Sequence, residues 1–242
     1  MEYWYEEHFN EDYLMVYKHR NDELAQHELQ KLMTFIPYKK GQYLLDLCCG
    51  NGRHSRWFFK KGLHVTGVDL SETLLEDAKK QQGSEDIQYI RSDMRHITFL
   101  NQFDVVVNLF TSFGYFEDDL ENEQVLKNAY NALVPQGYFI FDYLNPAFLE
   151  KNLVPFSKEV IDQLSILQYR TIEDNTVIKK IKIEDQEGSK RQYEERVKLY
   201  SREQLDNMIK QSGFQINHTF GDYDGSLYNK TQSSRLIYVC QK

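Results

Sequence analysis

Residues 43–55 read Tyr43-Leu44-Leu45-Asp46-Leu47-Cys48-Cys49-Gly50-Asn51-Gly52-Arg53-His54-Ser55. A short apolar run ends in a carboxylate and two closely spaced glycines, and a helical pattern follows at residues 57–61. The stretch therefore predicts a strand, a tight turn and a helix N-terminus, an arrangement that suits a nucleotide-like cofactor. Two features narrow that class. A dinucleotide fingerprint needs G-x-G-x-x-G, and after Gly50 and Gly52 the third position holds Ser55. Asp46, four residues before Gly50, repels a pyrophosphate but attracts a ligand carrying an ammonium and a sulfonium.

Working outward, the next apolar run, residues 63–68, ends in Asp69 with Leu70 and Ser71 behind it. Asp69 lies 17 residues beyond Gly52, near the spacing at which a doubly wound fold brings a carboxylate to ribose hydroxyls. Two acceptor oxygens facing two vicinal hydroxyls explain why an acid is wanted there. A third strand at residues 87–91 leads to Ser92, Asp93 and Met94. A fourth at residues 103–110 is an almost unbroken apolar run, as a parallel strand covered on both faces requires. It opens into Leu109-Phe110-Thr111-Ser112-Phe113-Gly114-Tyr115-Phe116. A helix at residues 120–133, the turn Pro135-Gln136-Gly137 and a fifth strand at residues 138–143 complete the alternation.

This ordered set resembles the class I SAM-dependent methyltransferases, with Asp46, Gly50 and Gly52 on the acidic and glycine positions of their motif I. That pattern commonly has a third glycine where this chain has Cys48. The resemblance is carried by residues 40–145 and more weakly by the last forty. It implies an α/β fold: a doubly wound, Rossmann-like sheet whose final strands, residues 214–220 and 235–240, form an antiparallel edge. It implies S-adenosyl-L-methionine (SAM) as cofactor, held by Cys48, Gly50, Asn51 and Gly52 in the turn and by Asp69 and Leu70 after the second strand. Asp93 then reaches the exocyclic adenine amine, with Ser92 and the backbone of Met94 beside the ring. Leu109, Phe110 and Phe113 flank cofactor and methyl group, while Tyr115 and Phe116 face substrate. The Asn-Pro-Pro-Tyr tetrapeptide of exocyclic-amine DNA methyltransferases is absent, and no cysteine stands where the cytosine C5 class has its nucleophile.

The first forty residues read as a helical lid. Aromatic residues crowd the start, and Tyr13, Val16, Tyr17 and Arg20 share a helical face, which suits either a docking helix or a cover over the cofactor. By resemblance to small-molecule N-methyltransferases, Tyr13 and Tyr17 line the sulfonium pocket and Arg20 meets the cofactor carboxylate. A second helix is expected over residues 22–35, stopped by Pro37.

The cofactor core is expected over residues 41–160 and again over 201–242. Between them, residues 161–200 break the βα alternation. Runs at 164–172, 176–184 and 191–200 read as three strands, with turns at Asp174-Asn175 and Glu187-Gly188, and polar and apolar residues alternate through 177–183 and 193–199 as in one-sided antiparallel strands. This inserted sheet is too short for a core of its own and serves as a substrate cover or as the surface of a homodimer. Ser201-x-x-Gln204 marks the next helix start. The loop at residues 221–228 is either a solvated turn or an amine-recognising element using Asp222, Tyr223 and Asp224.

Composition bounds the function. The 242 residues suit one α/β domain with an elaboration, 41% of them hydrophobic and 27% charged, as in globular chains. The three cysteines form no C-x-x-C pair and the seven histidines no ligand cluster, so no metal is expected. A formal charge of −8, with basic residues interleaved among acids, disfavours nucleic acid as a partner. No apolar run approaches the ~20 residues of a membrane span. Residues 1–7 lack the basic and apolar regions of a signal peptide, so a cytoplasmic location is expected. The expected activity is SAM-dependent methyl transfer to a nitrogen or oxygen of a small-molecule acceptor by in-line displacement. RNA or protein methylation, or a noncatalytic SAM-binding scaffold, are the alternatives. No catalytic residue is assignable, because a general base is needed only for a protonated acceptor.

Overall fold

The computed structural model describes residues 3–242; the first two residues of the expected lid lie outside that range. Two short helices, α1 (Trp4–His8) and α2 (Glu11–Val16), precede α3 (Asp22–Leu32). Asn10 caps α2 by accepting from the backbone N–H of Asp12 and Tyr13. The helix ends at Val16, so Tyr17 and Arg20 lie beyond it rather than on a continued helical face.

The alternation that follows is β1 (Tyr43–Leu47), α4 (Arg53–Lys60), β2 (His64–Asp69), α5 (Glu72–Lys80), β3 (Gln88–Arg91), β4 (Phe103–Asn108), α6 (Asp119–Ala132) and β5 (Leu133–Leu144). The chain closes with α8 (Arg202–Gln211), β10 (Gln215–Phe220) and β11 (Arg235–Gln241). These strands form one sheet in the order β10-β11-β5-β4-β1-β2-β3. β1 pairs in parallel with both β2 and β4, and β11 pairs antiparallel with β5. The chain runs outward from β1 to β3, then returns to the other side of β1 as β4. That reversal makes a switch point, and a crevice opens where the carboxyl ends of β1 and β4 diverge.

Both faces of the sheet are covered, which is why its strands read as apolar runs. Leu45, Val106 and Phe139 pack against Val125, Leu126 and Ala129 of α6 and Leu205 and Ile209 of α8. On the other face Leu44, Val105 and Ile140 meet Leu29 and Leu32 of α3 and Phe58 of α4. Burying each such side chain contributes about 1.5–3 kcal/mol. No helix among the described residues is long and apolar enough to cross a membrane.

Between β5 and α8 stand α7 (Pro146–Asn152) and a second sheet of four antiparallel strands, β6 (Phe156–Ile161), β7 (Leu164–Glu173), β8 (Thr176–Glu184) and β9 (Lys190–Lys198). The sequence pattern shows three of these. β6 escapes it because Phe-Ser-Lys-Glu-Val-Ile is a polar edge strand without clean alternation. Its hairpin also turns at Asp162-Gln163, both at positive φ, with no glycine to mark the bend. On the inner face Ile166, Ile181 and Ile183 pack against Val16 and Tyr17, joining this sheet to the N-terminal segment.

Candidate functional site

β1 delivers the chain into a left-handed turn: Cys48, Gly50 and Gly52 have φ of +64°, +55° and +76°. Cys48 thus adopts the backbone that a glycine takes without penalty. Gly52 is required twice over, because a Cβ there would lie 2.3 Å from Tyr89 Oη. Asp69, at the end of β2, ties the turn down. Its Oδ2 accepts from Gly50 N at 2.8 Å and its Oδ1 from Ser71 N at 2.9 Å. Burial lifts its carboxyl to about 6, against the pull of those amides.

A cavity of about 870 Å³ opens at these strand ends, within the range of about 300–1,000 Å³ typical of small-molecule sites. Cys48, Gly50, Asn51, Asp69 and Leu70 form one wall, Ser92, Asp93 and Met94 the next, and Leu109, Phe110, Tyr115 and Phe116 a third. Tyr13, Tyr17 and Arg20 close it from the N-terminal side. Fifteen of the expected residues therefore converge on one space. Asp93 is already engaged: Arg95 donates to Oδ2 at 2.5 Å through Nη2 and to Oδ1 at 3.1 Å through Nε. Burial opposes its ionisation, yet these bonds hold its carboxyl below the ordinary range.

Three guanidinium groups surround the Phe110 ring, those of Arg20, Arg53 and Arg235, at 4.5, 4.9 and 5.5 Å from its centroid. Two have carboxylate partners, since Arg53 binds Glu28 at 2.5 Å and Arg235 binds Asp142 at 2.7 Å. Among the described residues the Arg20 guanidinium donates only to Tyr13 Oη, at 3.1 Å, and it lies 3.6 Å over the Tyr17 ring. Its Nε is buried and makes no hydrogen bond among the described residues. A cavity-lining cation that meets no carboxylate among the described residues suits a carboxylate ligand.

Six expected residues do not line the cavity. Asp46 is 1% exposed and accepts from Ser55 Oγ at 2.6 Å, so it fastens α4 to β1 instead of facing a ligand. Burial raises its carboxyl to about 6. Gly52 shapes the turn from behind. Phe113 is fully buried in the core, edge-on to Phe141 with ring centroids 5.0 Å apart. Tyr223 is buried and donates to Asp142. Asp222 and Asp224 are exposed and accept from the backbone N–H of Tyr223 and Ser226, as acids in a turn do. Of the two readings of this loop, these bonds fit the turn, and the three side chains stand outside the cavity lining.

Other residues of the site went unread in the sequence. Glu28, on the buried face of α3, receives Arg53 and also lies 2.8 Å from His54 Nε2, and burial pushes that imidazole down to about 4. Asp142 and Arg235 are charges embedded in the apolar strands β5 and β11, which is itself a signal of buried pairing. A further cluster joins the N-terminal segment to the inserted sheet. Tyr17 Oη donates to Glu195 Oε1 at 2.5 Å, His8 Nε2 lies 2.8 Å from the same oxygen, and Lys179 Nζ donates to Tyr17 Oη. Burial drives Lys179 down to about 8. Glu195 sits at about 2, its burial outweighed by His8, Lys179 and Tyr17.

Comparison with known proteins decides the family. A methyltransferase-domain family model matches residues 44–137. "Putative methyltransferase YqeM" of Bacillus subtilis (strain 168) is 31% identical over 235 residues, spanning 88% of this chain and 93% of that protein. The chain belongs to the class I SAM-dependent methyltransferase family. Solved structures of methyltransferases show the same fold at low identity. A SAM-dependent methyltransferase from Clostridium acetobutylicum superposes with a TM-score of 0.80 at 19% identity, covering 96% of both chains. SAM-bound CalS10, an amino pentose methyltransferase from Micromonospora echinaspora, superposes with a TM-score of 0.71 at 18% identity over 95% of this chain and 96% of that one. The expected cofactor and fold class of this methyltransferase are thus both established, and the matched segment contains the Gly-x-Gly turn, Asp69 and Asp93.

Proposed function

We propose that this methyltransferase transfers the methyl group of SAM to a nitrogen or oxygen of a small molecule held inside the cavity. The observation that carries the reading is the enclosure of the strand ends. The N-terminal helices and the inserted sheet meet beside them through His8, Tyr17, Lys179 and Glu195 and wall the cavity on those sides. CalS10 and the sugar N-methyltransferase KedS8, whose names denote sugar acceptors, share the fold, which is in keeping with this reading.

The residues present fit the cofactor. Asp69 offers acceptor oxygens for ribose hydroxyls, Met94 and Leu70 offer apolar surface beside a base, and the unpaired Arg20 suits the amino-acid carboxylate. Bound SAM supplies an electrophilic methyl group on a sulfonium. The protein's own work is orientation and exclusion of water. Placing two reactants in line contributes about 7–11 kcal/mol in model reactions. Tyr13, Phe110 and Tyr115 give the reacting region aromatic walls, and no covalent nucleophile is needed.

The test has two parts. Calorimetry with S-adenosylhomocysteine (SAH) should show binding that Arg20→Met weakens by about 10–100-fold, the loss of a charge-assisted contact. Incubation with methyl-labelled SAM and fractionated cell extract should place the label in small molecules. Label in RNA or protein instead would replace the acceptor reading, and binding without transfer would favour a noncatalytic role.

A further inference from the structure

The register of the inserted sheet sets three charges in one row facing the cavity. Arg170 on β7 stands directly opposite Lys179 on β8, and Lys179 directly opposite Glu195 on β9. All three line the cavity. Like charges directly opposite across a strand pair destabilise a sheet, so the Arg170–Lys179 neighbourhood needs a reason. Among the described residues no carboxylate meets Arg170. The Arg170 guanidinium donates to Val154 O at 3.3 Å, Ser157 Oγ at 3.1 Å and Gln168 Oε1, all neutral. Glu159 on the edge strand is held by Gln168 Nε2 at 2.8 Å. Glu195 is shared among His8, Tyr17 and Lys179, the last at 4.0 Å. The neighbouring row is apolar, with Val177 opposite Val197, and both also line the cavity, as do Leu149 and Leu153.

We propose that the acceptor is an organic anion: a carboxylate or phosphate monoester, remote from the methylated atom, is received by Arg170 and Lys179, and its uncharged body lies on the Val177–Val197 row. This rests on the small-molecule reading above and narrows it. A lone ammonium acceptor would instead face two cations across one committed carboxylate, an unfavourable arrangement in a low-dielectric chamber.

The experiment uses the full chain with methyl-labelled SAM and a small-molecule extract of the source cells. Labelled product is passed over a quaternary-ammonium resin in a buffer alkaline enough to discharge amines. Retention is expected, and phosphatase treatment separates the two anions, since only a phosphate monoester then loses retention. Labelled small molecules that flow through untreated overturn the anion proposal and leave the small-molecule reading standing. Absence of label from the small-molecule fraction overturns that reading and the anion proposal with it. With the purified acceptor, Arg170→Gln should raise KM by about 10–100-fold, with Arg170→Lys intermediate. SAH affinity by calorimetry should be unchanged in both, and a cooperative melting transition should show that both are folded. An unaltered KM in a folded Arg170→Gln protein overturns the assignment.

Discussion

Arg235 meets the fully buried Asp142 twice at one oxygen, with Nε at 2.9 Å and Nη2 at 2.7 Å from Oδ1. The other oxygen accepts from Phe110 N at 2.7 Å and from Tyr223, while Arg235 Nη2 also donates to Thr111 Oγ1 at 2.7 Å. The pair therefore braces Phe110 and Thr111, two consecutive non-glycine residues at φ +61°. Removing one partner leaves the other charge buried and alone. Arg235→Met is expected to cost about 3–5 kcal/mol in urea unfolding, and a loss below about 1 kcal/mol would show that water or another group compensates.

Gly52 combines a left-handed backbone with close contact to Tyr89. Gly52→Ala should lose about 1–3 kcal/mol from backbone strain alone and more from the clash. Adding Tyr89→Leu should recover the clash but not the strain. Thermal unfolding of the single and double variants separates the two, and full recovery would refute the backbone part.

Asp46 and Asp69 both titrate near 6 when folded, above the ordinary 3.8. Between those values the folded chain holds protons that the unfolded chain has released, so stability from these groups falls as pH rises from about 4 to about 6. The stability of the wild type relative to Asp46→Asn should decline across that window, read by urea unfolding at its two ends. A difference independent of pH would contradict the burial argument. Ribose hydroxyls are best received by the ionised form of Asp69, so SAH affinity should weaken as pH drops below about 6.

Glu195 behaves in the opposite sense. Its carboxyl lies at about 2, below the ordinary 4.5, so its contribution is complete above 4.5 and fades as pH falls toward 2. Glu195→Gln should therefore destabilise the protein at neutral pH, with the gap closing in acid. It should also speed tryptic cleavage at Lys18 and Arg20, because the N-terminal segment loses its shared anchor. Unchanged cleavage would mean that the packing of Val16 and Tyr17 suffices.

What the sequence disclosed is what local chemistry encodes. Glycines at a bend, acids at Asp69 and Asp93, and apolar runs at β1 and β4 state their business within a few residues. Asp46 turns toward Ser55 and away from the cavity; spacing along a strand does not fix which face a side chain takes, and the alternation flips with every residue. The unread pairs are distant in the chain: Asp142 and Arg235 are 93 positions apart, Tyr17 and Glu195 178. Their meeting is a product of topology, which strand order and the insertion's register decide. The sequence pattern of the four-stranded insertion marks only three strands, because its edge strand is polar and its first hairpin lacks glycine.

Tyr17 carries Arg20 above its ring and holds Lys179 and Glu195 at its hydroxyl. One phenol thus touches both the proposed cofactor site and the proposed acceptor site. If a ligand on one side orders that ring, a ligand on the other is spared the same loss of freedom, and the two affinities are then linked reciprocally.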